Sequence, residues 1–244
     1  MKILISQQTP TNLAPYESLQ SKFGATVDFH PFFLMEPLSA KEFRAEKINL
    51  PDYTAVVFSS RLAIDAYFKL CDEMRFKVPE TMKYFCSTEA VAMYLQKHIV
   101  YRKRKIFFGD GTPQSIVGLI GPKHKGEKFL ITASVGSNAD SITALFESAG
   151  LDWTLGMLVK AMPQDLHGLD IHSYDIVVMY NPSDVASLKE NFPDFEQGDI
   201  KFVSFGKSVV KAMEDAGFSI TVKAPTPEAT SVGRAIELYL ENSR

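Results

Sequence analysis

Short apolar runs alternate with longer segments of helical spacing from one end of the chain to the other. Lys2-Ile3-Leu4-Ile5 opens a segment that passes through a polar loop and an amphipathic stretch to Gly24. Lys128-Phe129-Leu130-Ile131 opens another that reaches Gly150 in the same number of steps, and the two superimpose without a gap. Each predicts a buried strand, a loop, a helix ended by glycine, and a second strand. A further pair follows, since Tyr53 to Phe58 matches Tyr174 to Met179, each before small polar residues and a helical pattern. Met82 to Cys86 then precedes a helix through Ala90 to Gln96, and Ile200 to Gly206 precedes one through Val210 to Ala216 and Gly217. Buried strands alternating with helices predict parallel sheets covered on both faces.

The predicted fold class is therefore α/β, with two similar parallel-sheet halves. The repeat does not say how its units pair in space. Two consecutive halves divided near residue 125 are one solution; the other is an exchange in which the first unit completes the sheet of the last. Pro31 and Pro37 flank Phe32 to Glu36, and Met157 to Met162 precedes Pro163, so both stretches read as crossovers.

Composition acts mainly by exclusion. With 244 residues, 45% hydrophobic and 23% charged, both cores fill without metals or disulfides. Cys71 and Cys86 have neither metal-ligand spacing nor a disulfide framework, so a reducing compartment, the cytoplasm, is expected. Met1 to Ser6 is too short an apolar run for a secretory signal, and no run approaches the roughly 18 residues that span a bilayer. No long apolar stripe is left over, and a monomer is expected. The net charge of -3 argues against nucleic acid as a partner. Arg102-Lys103-Arg104-Lys105 is a local exception, readable as a solvated face or as an anion-facing rim.

Parallel α/β sheets bind ligands outside the carboxyl ends of strands, where helix N-termini offer free N–H groups. Small polar residues mark such corners at Ser59-Ser60 with Arg61, Ser87-Thr88, Thr132 to Ser137, Asn181-Pro182-Ser183 and Gly206-Lys207-Ser208. They serve as N-caps, or together they line a multi-point anion cleft. Standard catalytic signatures are missing. No Gly-x-Gly-x-x-Gly or Gly-x-Ser-x-Gly occurs, and Gly206-Lys207-Ser208 lacks the earlier glycine of a P-loop. His30, His98, His124, His167 and His172 form no ligand pair, no metal is implied, and the carboxylates show no paired acid/base arrangement. Any catalysis must rest on binding and electrostatics.

In order and spacing these corners resemble the uroporphyrinogen-III synthase family over nearly the whole chain. The motifs that carry the resemblance are Val56 to Ile64, Phe205 to Met213 ending at Gly217, and Ala224-Pro225-Thr226-Pro227-Glu228-Ala229 before a last helix. It implies a discontinuous α/β domain of residues 1–33 and 162–244, with a second α/β domain, 38–158, inserted in it. A two-stranded connector, 32–37 and 158–162, would join them, and the active site would lie in the cleft between domains. The implied reaction cyclises hydroxymethylbilane without a cofactor. Loss of water leaves an electrophilic carbon that bonds to the substituted position of ring D, and the spiro intermediate fragments and recloses with that ring inverted. The substrate, a linear tetrapyrrole with eight carboxylates, would be held by Ser59, Ser60, Arg61, Ser87, Thr88, Asn181, Pro182, Ser183, Gly206, Lys207 and Ser208.

Departures from the family pattern accompany the resemblance. A family tyrosine thought to assist loss of the hydroxyl falls in a Tyr-Arg-Thr pattern, where this chain reads Val159-Lys160-Ala161. Lys160 is then the candidate catalytic residue. Tyr180 stands at a Thr or Ser position, Ser208-Val209-Val210 replaces Thr-Thr-Ala, and the counterpart of the later glycine reads as Cys86. Gln7 and Gln8 stand near a common arginine. The lost hydroxyls motivate an alternative, a non-catalytic relative that binds or senses a tetrapyrrole or another polyanion.

Overall fold

The computed structural model describes residues 1–243. In chain order the strands and helices are β1 (Lys2–Ile5), α1 (Ala14–Phe23), β2 (Thr26–Phe29), β3 (Phe33–Pro37), α2 (Ala40–Phe43), β4 (Ala55–Phe58) and α3 (Arg61–Glu73). Next come β5 (Lys83–Cys86), α4 (Glu89–Tyr94), β6 (Ile106–Phe108), α5 (Pro113–Ile120), β7 (Lys128–Ser134), α6 (Asp140–Ser148) and β8 (Asp152–Pro163). The chain ends with β9 (Ile176–Met179), α7 (Pro182–Asn191), β10 (Lys201–Phe205), α8 (Lys207–Asp215), β11 (Ile220–Ala224) and α9 (Val232–Asn242). Two compact units result, Met1–Leu34 with Met162–Arg244, and Met35–Ala161.

The first unit carries a five-stranded sheet in the order β11-β10-β9-β1-β2, and the second a six-stranded sheet in the order β3-β8-β7-β4-β5-β6. Apart from the edge strand β3, neighbours run parallel. Strand for strand, β2-β1-β9-β10-β11 corresponds to β8-β7-β4-β5-β6. Register makes the match exact to the residue: Lys2 faces Thr26 as Lys128 faces Asp152, Ile3 faces Ile176 as Phe129 faces Ala55, and Lys201 faces Ile176 as Lys83 faces Ala55. Both sheets thus have one layout, entered at different strands. In the first unit β1 and β2 come before their partners; in the second, β7 and β8 come after theirs.

The same register corrects one correspondence read from the sequence. Gly206 lies five residues after Lys201, and Thr88 five after Lys83, so the partner of Gly206 is Thr88 and that of Cys86 is Ser204. The two N-cap residues, Gly206 and Thr88, agree with this.

Strand composition follows from burial on both faces. In the first unit Leu4, Val177, Met179 and Phe202 pack under Val185, Leu188, Val209 and Met213 of α7 and α8. The alternate residues Ile3, Ile5, Ile176, Val178 and Val203 pack under Leu19, Val232 and Ile236 of α1 and α9. The second unit repeats the scheme, with Val56, Phe58, Tyr84 and Leu130 against α3 and α4, and Ala55, Val57, Phe85, Phe129 and Ile131 against α5 and α6. Each fully buried Leu, Ile or Phe contributes about 1.5–3 kcal/mol relative to exposure. Helices on both faces therefore require near-continuous apolar strands, and β4 and β9 have no exposed residue at all. Gly24 and Gly150, at φ of 62° and 63°, turn the chain out of α1 and α6 at equivalent repeat positions.

Gly233 permits the close approach of α9 to α1, since a Cβ there would lie 2.2 Å from the Pro15 carbonyl oxygen. Gly233→Ala should cost about 1–3 kcal/mol in denaturant unfolding. Gly118→Ala, inside α5 with nothing within 4 Å of the new Cβ, should instead gain roughly 0.5–1 kcal/mol. Equal effects of the two changes would contradict this packing.

Candidate active site

In the second unit, β4 and β5 end side by side and deliver two helix starts to one edge. Ser60 is extended, at φ −151° and ψ 160°, and its Oγ accepts from the Ala63 N–H at 3.1 Å to cap α3. Thr88 caps α4 in the same way, accepting from the Val91 N–H at 3.4 Å. Ser87 ties the corners together: its N–H donates to the Phe58 carbonyl at 2.9 Å and its Oγ to the Ser59 carbonyl at 3.2 Å. Ser59, Ser60, Ser87 and Thr88 thus form one polar row at the carboxyl edge. Caps satisfy a later N–H, leaving the first helical N–H groups facing solvent, and no acidic residue lies in the first turn of α3. Arg61 opens that helix with its guanidinium 5.6 Å from the centre of the Tyr94 ring. Tyr94 is itself fixed, donating to Asp65 at 2.7 Å.

Thr132, inside β7, is buried and donates its hydroxyl to the Val57 carbonyl at 2.8 Å, so it braces the sheet instead of facing a ligand. Lys160 lies one residue beyond Val159, which pairs with Ser134 at the end of β7. Its ammonium is in an ion pair with Glu42. The hydrogen bond from Lys160, with those from the Ser39 backbone and hydroxyl, holds the Glu42 carboxyl down to about 2. Val159 is buried in the core beside Leu130 and Leu158 and offers no polar atom from its side chain.

Corners of the first unit differ from each other. Asn181 caps α7, accepting from the Ser183 N–H at 3.0 Å, with Pro182 at the first helical position. Asp184 completes a capping box, one oxygen accepting from the N–H groups of Tyr180 at 2.9 Å and Asn181 at 3.0 Å. Its other oxygen is buried, as is the hydroxyl of Ser6 just after β1, which acts on this carboxylate. Burial pushes the Asp184 carboxyl up to about 6, against the opposing pull of those backbone donors and Ser6. The α8 corner has no such occupant. Gly206 caps with φ 128° and no side chain, its first turn holds no acid, and Lys207 and Ser208 are exposed.

Sequence reading missed three kinds of residue. Phe108 and Val135, which follow the ends of their strands' buried portions, are 40% and 54% exposed at the larger sheet's carboxyl edge. Their signal was an apolar residue running past a strand end into glycine, at Phe108-Gly109 and Val135-Gly136. Asp184 and Glu42 carry no sequence signal that sets them apart from other acids near a helix start. The basic run reads differently in place. Lys105 immediately precedes β6 and its carbonyl accepts from the Tyr84 N–H near the start of β5, so Arg102 to Lys105 lie at the amino edge, opposite the hydroxyl row. Arg102 pairs there with Glu80 at 3.3 Å, beside a cavity of about 190 Å³ lined by Val78, Met82 and Ile99. The run is thus a basic patch on the far edge of the same sheet from that row. Among the described residues, no group of three His, Cys, Asp or Glu side chains is placed to hold a metal. No helix among them is long and apolar enough to cross a membrane.

A family model described as uroporphyrinogen-III synthase HemD matches residues 15–232. No curated protein matches the chain. Among solved structures, uroporphyrinogen-III synthetase from Helicobacter pylori 26695 is 15% identical, covers 99% of each chain and has a TM-score of 0.57, a likeness of fold. Uroporphyrinogen III synthase from Thermus thermophilus is 13% identical over 100% of each chain, with a TM-score of 0.45.

The Asp184 carboxyl sets a pH dependence. Its folded pKa, about 6, lies above its ordinary value of 3.8, so its contribution to stability is full below pH ~4 and is lost as pH rises to ~6. Relative to Asp184→Asn, which keeps an acceptor oxygen and cannot titrate, the wild type should lose of the order of 2–3 kcal/mol across that window and nothing further above it. A stability difference that is flat from pH 4 to 7 in urea titrations would contradict the burial of an ionisable group at this position.

Proposed function

The chain belongs to the uroporphyrinogen-III synthase family, cyclising lyases of tetrapyrrole biosynthesis, and from that premise we propose that it closes hydroxymethylbilane with inversion of ring D by gripping the substrate's carboxylates at the carboxyl edges of its sheets. The observation that carries the reading is the row Ser59, Ser60, Ser87 and Thr88, set before α3 and α4 with α3 free of first-turn acids. Ser60 and Thr88, whose oxygens accept from the helix, donate their protons to carboxylates at short range, while Ser87 spends its own on the Ser59 carbonyl and joins the two corners; the helix N-termini add fixed N–H donors and a partial positive charge. Arg61 supplies a full charge beside them. On the smaller sheet Gly206 gives its own N–H to the Ala224 carbonyl at 2.8 Å, and the corner supplies the N–H groups of Lys207 and Ser208 with a lysine and a hydroxyl. Phe108 and Val135 give apolar faces against which pyrrole rings pack.

The protein's task in this reading is positional. Pyrrole nitrogens provide the electron pair that expels the hydroxyl, and the carbon so exposed is met by ring D if the chain is folded correctly. Holding the ends in register is worth more than a proton donor, because oriented intramolecular reactions gain effective molarities of up to about 10⁵ M or more. Val159 supplies no phenol to the departing hydroxyl. Lys160 is the nearest cation in sequence to that position, and its bond to Glu42 makes it a brace for α2 as well as a candidate proton source.

Enzymatically supplied hydroxymethylbilane, followed by oxidation of the products and separation of porphyrin isomers, tests the reading. Dominant type III isomer is expected. Type I isomer alone, at the spontaneous rate and from folded protein, would leave a binding protein in place of a synthase. Within the active enzyme, Ser60→Ala should cost about 1 kcal/mol of stability through loss of the cap and reduce kcat/KM modestly. Ser60→Leu should reduce kcat/KM further by filling the row. Equal kcat/KM for the two variants would mean that this corner does not touch substrate.

A further inference from the structure

Two helices that register makes equivalent, α3 and α7, start with different chemistry. The residue three places after the cap is Ala63 in α3 and Asp184 in α7. Ala63 contributes only its N–H to Ser60. Asp184 turns its carboxylate back over the corner and takes the N–H groups of both Tyr180 and Asn181, while the Asn181 side chain takes that of Ser183. The donors an incoming carboxylate would seek at α7 are therefore already held, those of Tyr180 and Asn181 by a carboxylate of the chain itself and that of Ser183 by the Asn181 amide oxygen. Among the described residues, no cation is paired with that carboxylate. The groups acting on it are Ser6 from the end of β1, Tyr180 after β9, with Tyr16 of α1 acting in turn on that tyrosine, and Asn181. Lys207, Lys211, Glu214 and Asp215 of α8, the helix packed on α7, are not among them. The neighbouring α8 corner, capped by a bare glycine and without a first-turn acid, remains open.

We propose that Asp184 is a specificity-determining residue whose carboxylate occupies the start of α7 and keeps substrate carboxylates off that corner, so that the smaller sheet receives them at α8 instead. The proposal rests on the reading of the sheet edges as carboxylate-binding surfaces. It divides the two small-polar corners of this sheet into one that binds and one that repels. Asn181, Pro182 and Ser183 then shape the edge without holding a carboxylate. A multiply charged substrate can be misplaced in many ways, and a fixed like charge at one corner removes some of them.

The test uses uroporphyrin III, which carries the same number of carboxylates as the substrate and is followed by quenching of its fluorescence, with the full-length protein at pH 8 and pH 5. Asp184→Asn keeps an acceptor for the two N–H groups and removes the charge. It should bind uroporphyrin roughly three- to tenfold more tightly than wild type at pH 8. At pH 5, below the value of about 6 to which burial raises Asp184, the wild-type group is mostly neutral and the ratio should close towards one. The reciprocal change, Ala63→Asp, places a carboxylate over the α3 corner and should weaken binding at pH 8 by a similar factor. Folded D184N that binds no tighter at pH 8, a gain equal at both pH values, or no binding by either protein overturns the proposal. Because binding is read without turnover, these results stand whichever porphyrin isomer the wild type forms, and the isomer assay judges the synthase reading separately.

Discussion

A parallel strand cannot reach its neighbour by a hairpin; the chain must climb over the sheet and start again from the same end. Every strand but the edge strand β3 obeys this rule, so each helix that follows a strand begins at a carboxyl edge. Backbone N–H groups without helical partners accumulate there by necessity, and each must find a side chain, water or a ligand. Ser60, Thr88, Asn181, Asp184 and the bare Gly206 are different answers to that requirement. The chemistry available to the protein follows from which answers leave donors free.

Several groups suited to acid–base or nucleophilic work are tied up or buried. Burial pushes the thiols of Cys71 and Cys86 up to about 12, which keeps them protonated and inert at neutral pH. Burial raises the Tyr180 phenol as well, helped by Tyr16. Lys160 is paired with Glu42, and His98 with Asp65 at 2.7 Å under the stacked ring of Phe68. The corners at Ser60 and Gly206 offer hydroxyls, N–H groups, Arg61 and Lys207, donors of the kind that hold an anion, whereas Glu89 opens α4.

Much of the architecture was legible because the strands are short, fully apolar and repeated, and because glycine marks the ends of α1 and α6. The caps were legible for the same local reason, as Ser60, Thr88 and Asn181 stand just before helical patterns. Relations that depend on register were less so. Gly206 resembled a partner of Cys86 until the pairing of Lys201 with Ile176 and of Lys83 with Ala55 aligned it with Thr88. The basic run at Arg102 to Lys105 could be seen but not assigned to an edge, since that needs the direction of β6. Asp184 was hidden most completely: an acid in the first turn of a helix is ordinary, and only the packed structure shows it buried over the corner it closes.

The central claim is that helix starts and hydroxyls at the carboxyl edges, not the basic run, hold the tetrapyrrole's carboxylates. Titrating ¹⁵N-labelled protein with uroporphyrin III and following backbone amide shifts tests it most directly. The account predicts the largest shifts at Arg61, Leu62, Ser87, Thr88, Lys207 and Ser208, with Asn181 and Ser183 little moved. Shifts concentrated at Arg102 to Lys105, with the carboxyl edges silent, would contradict it.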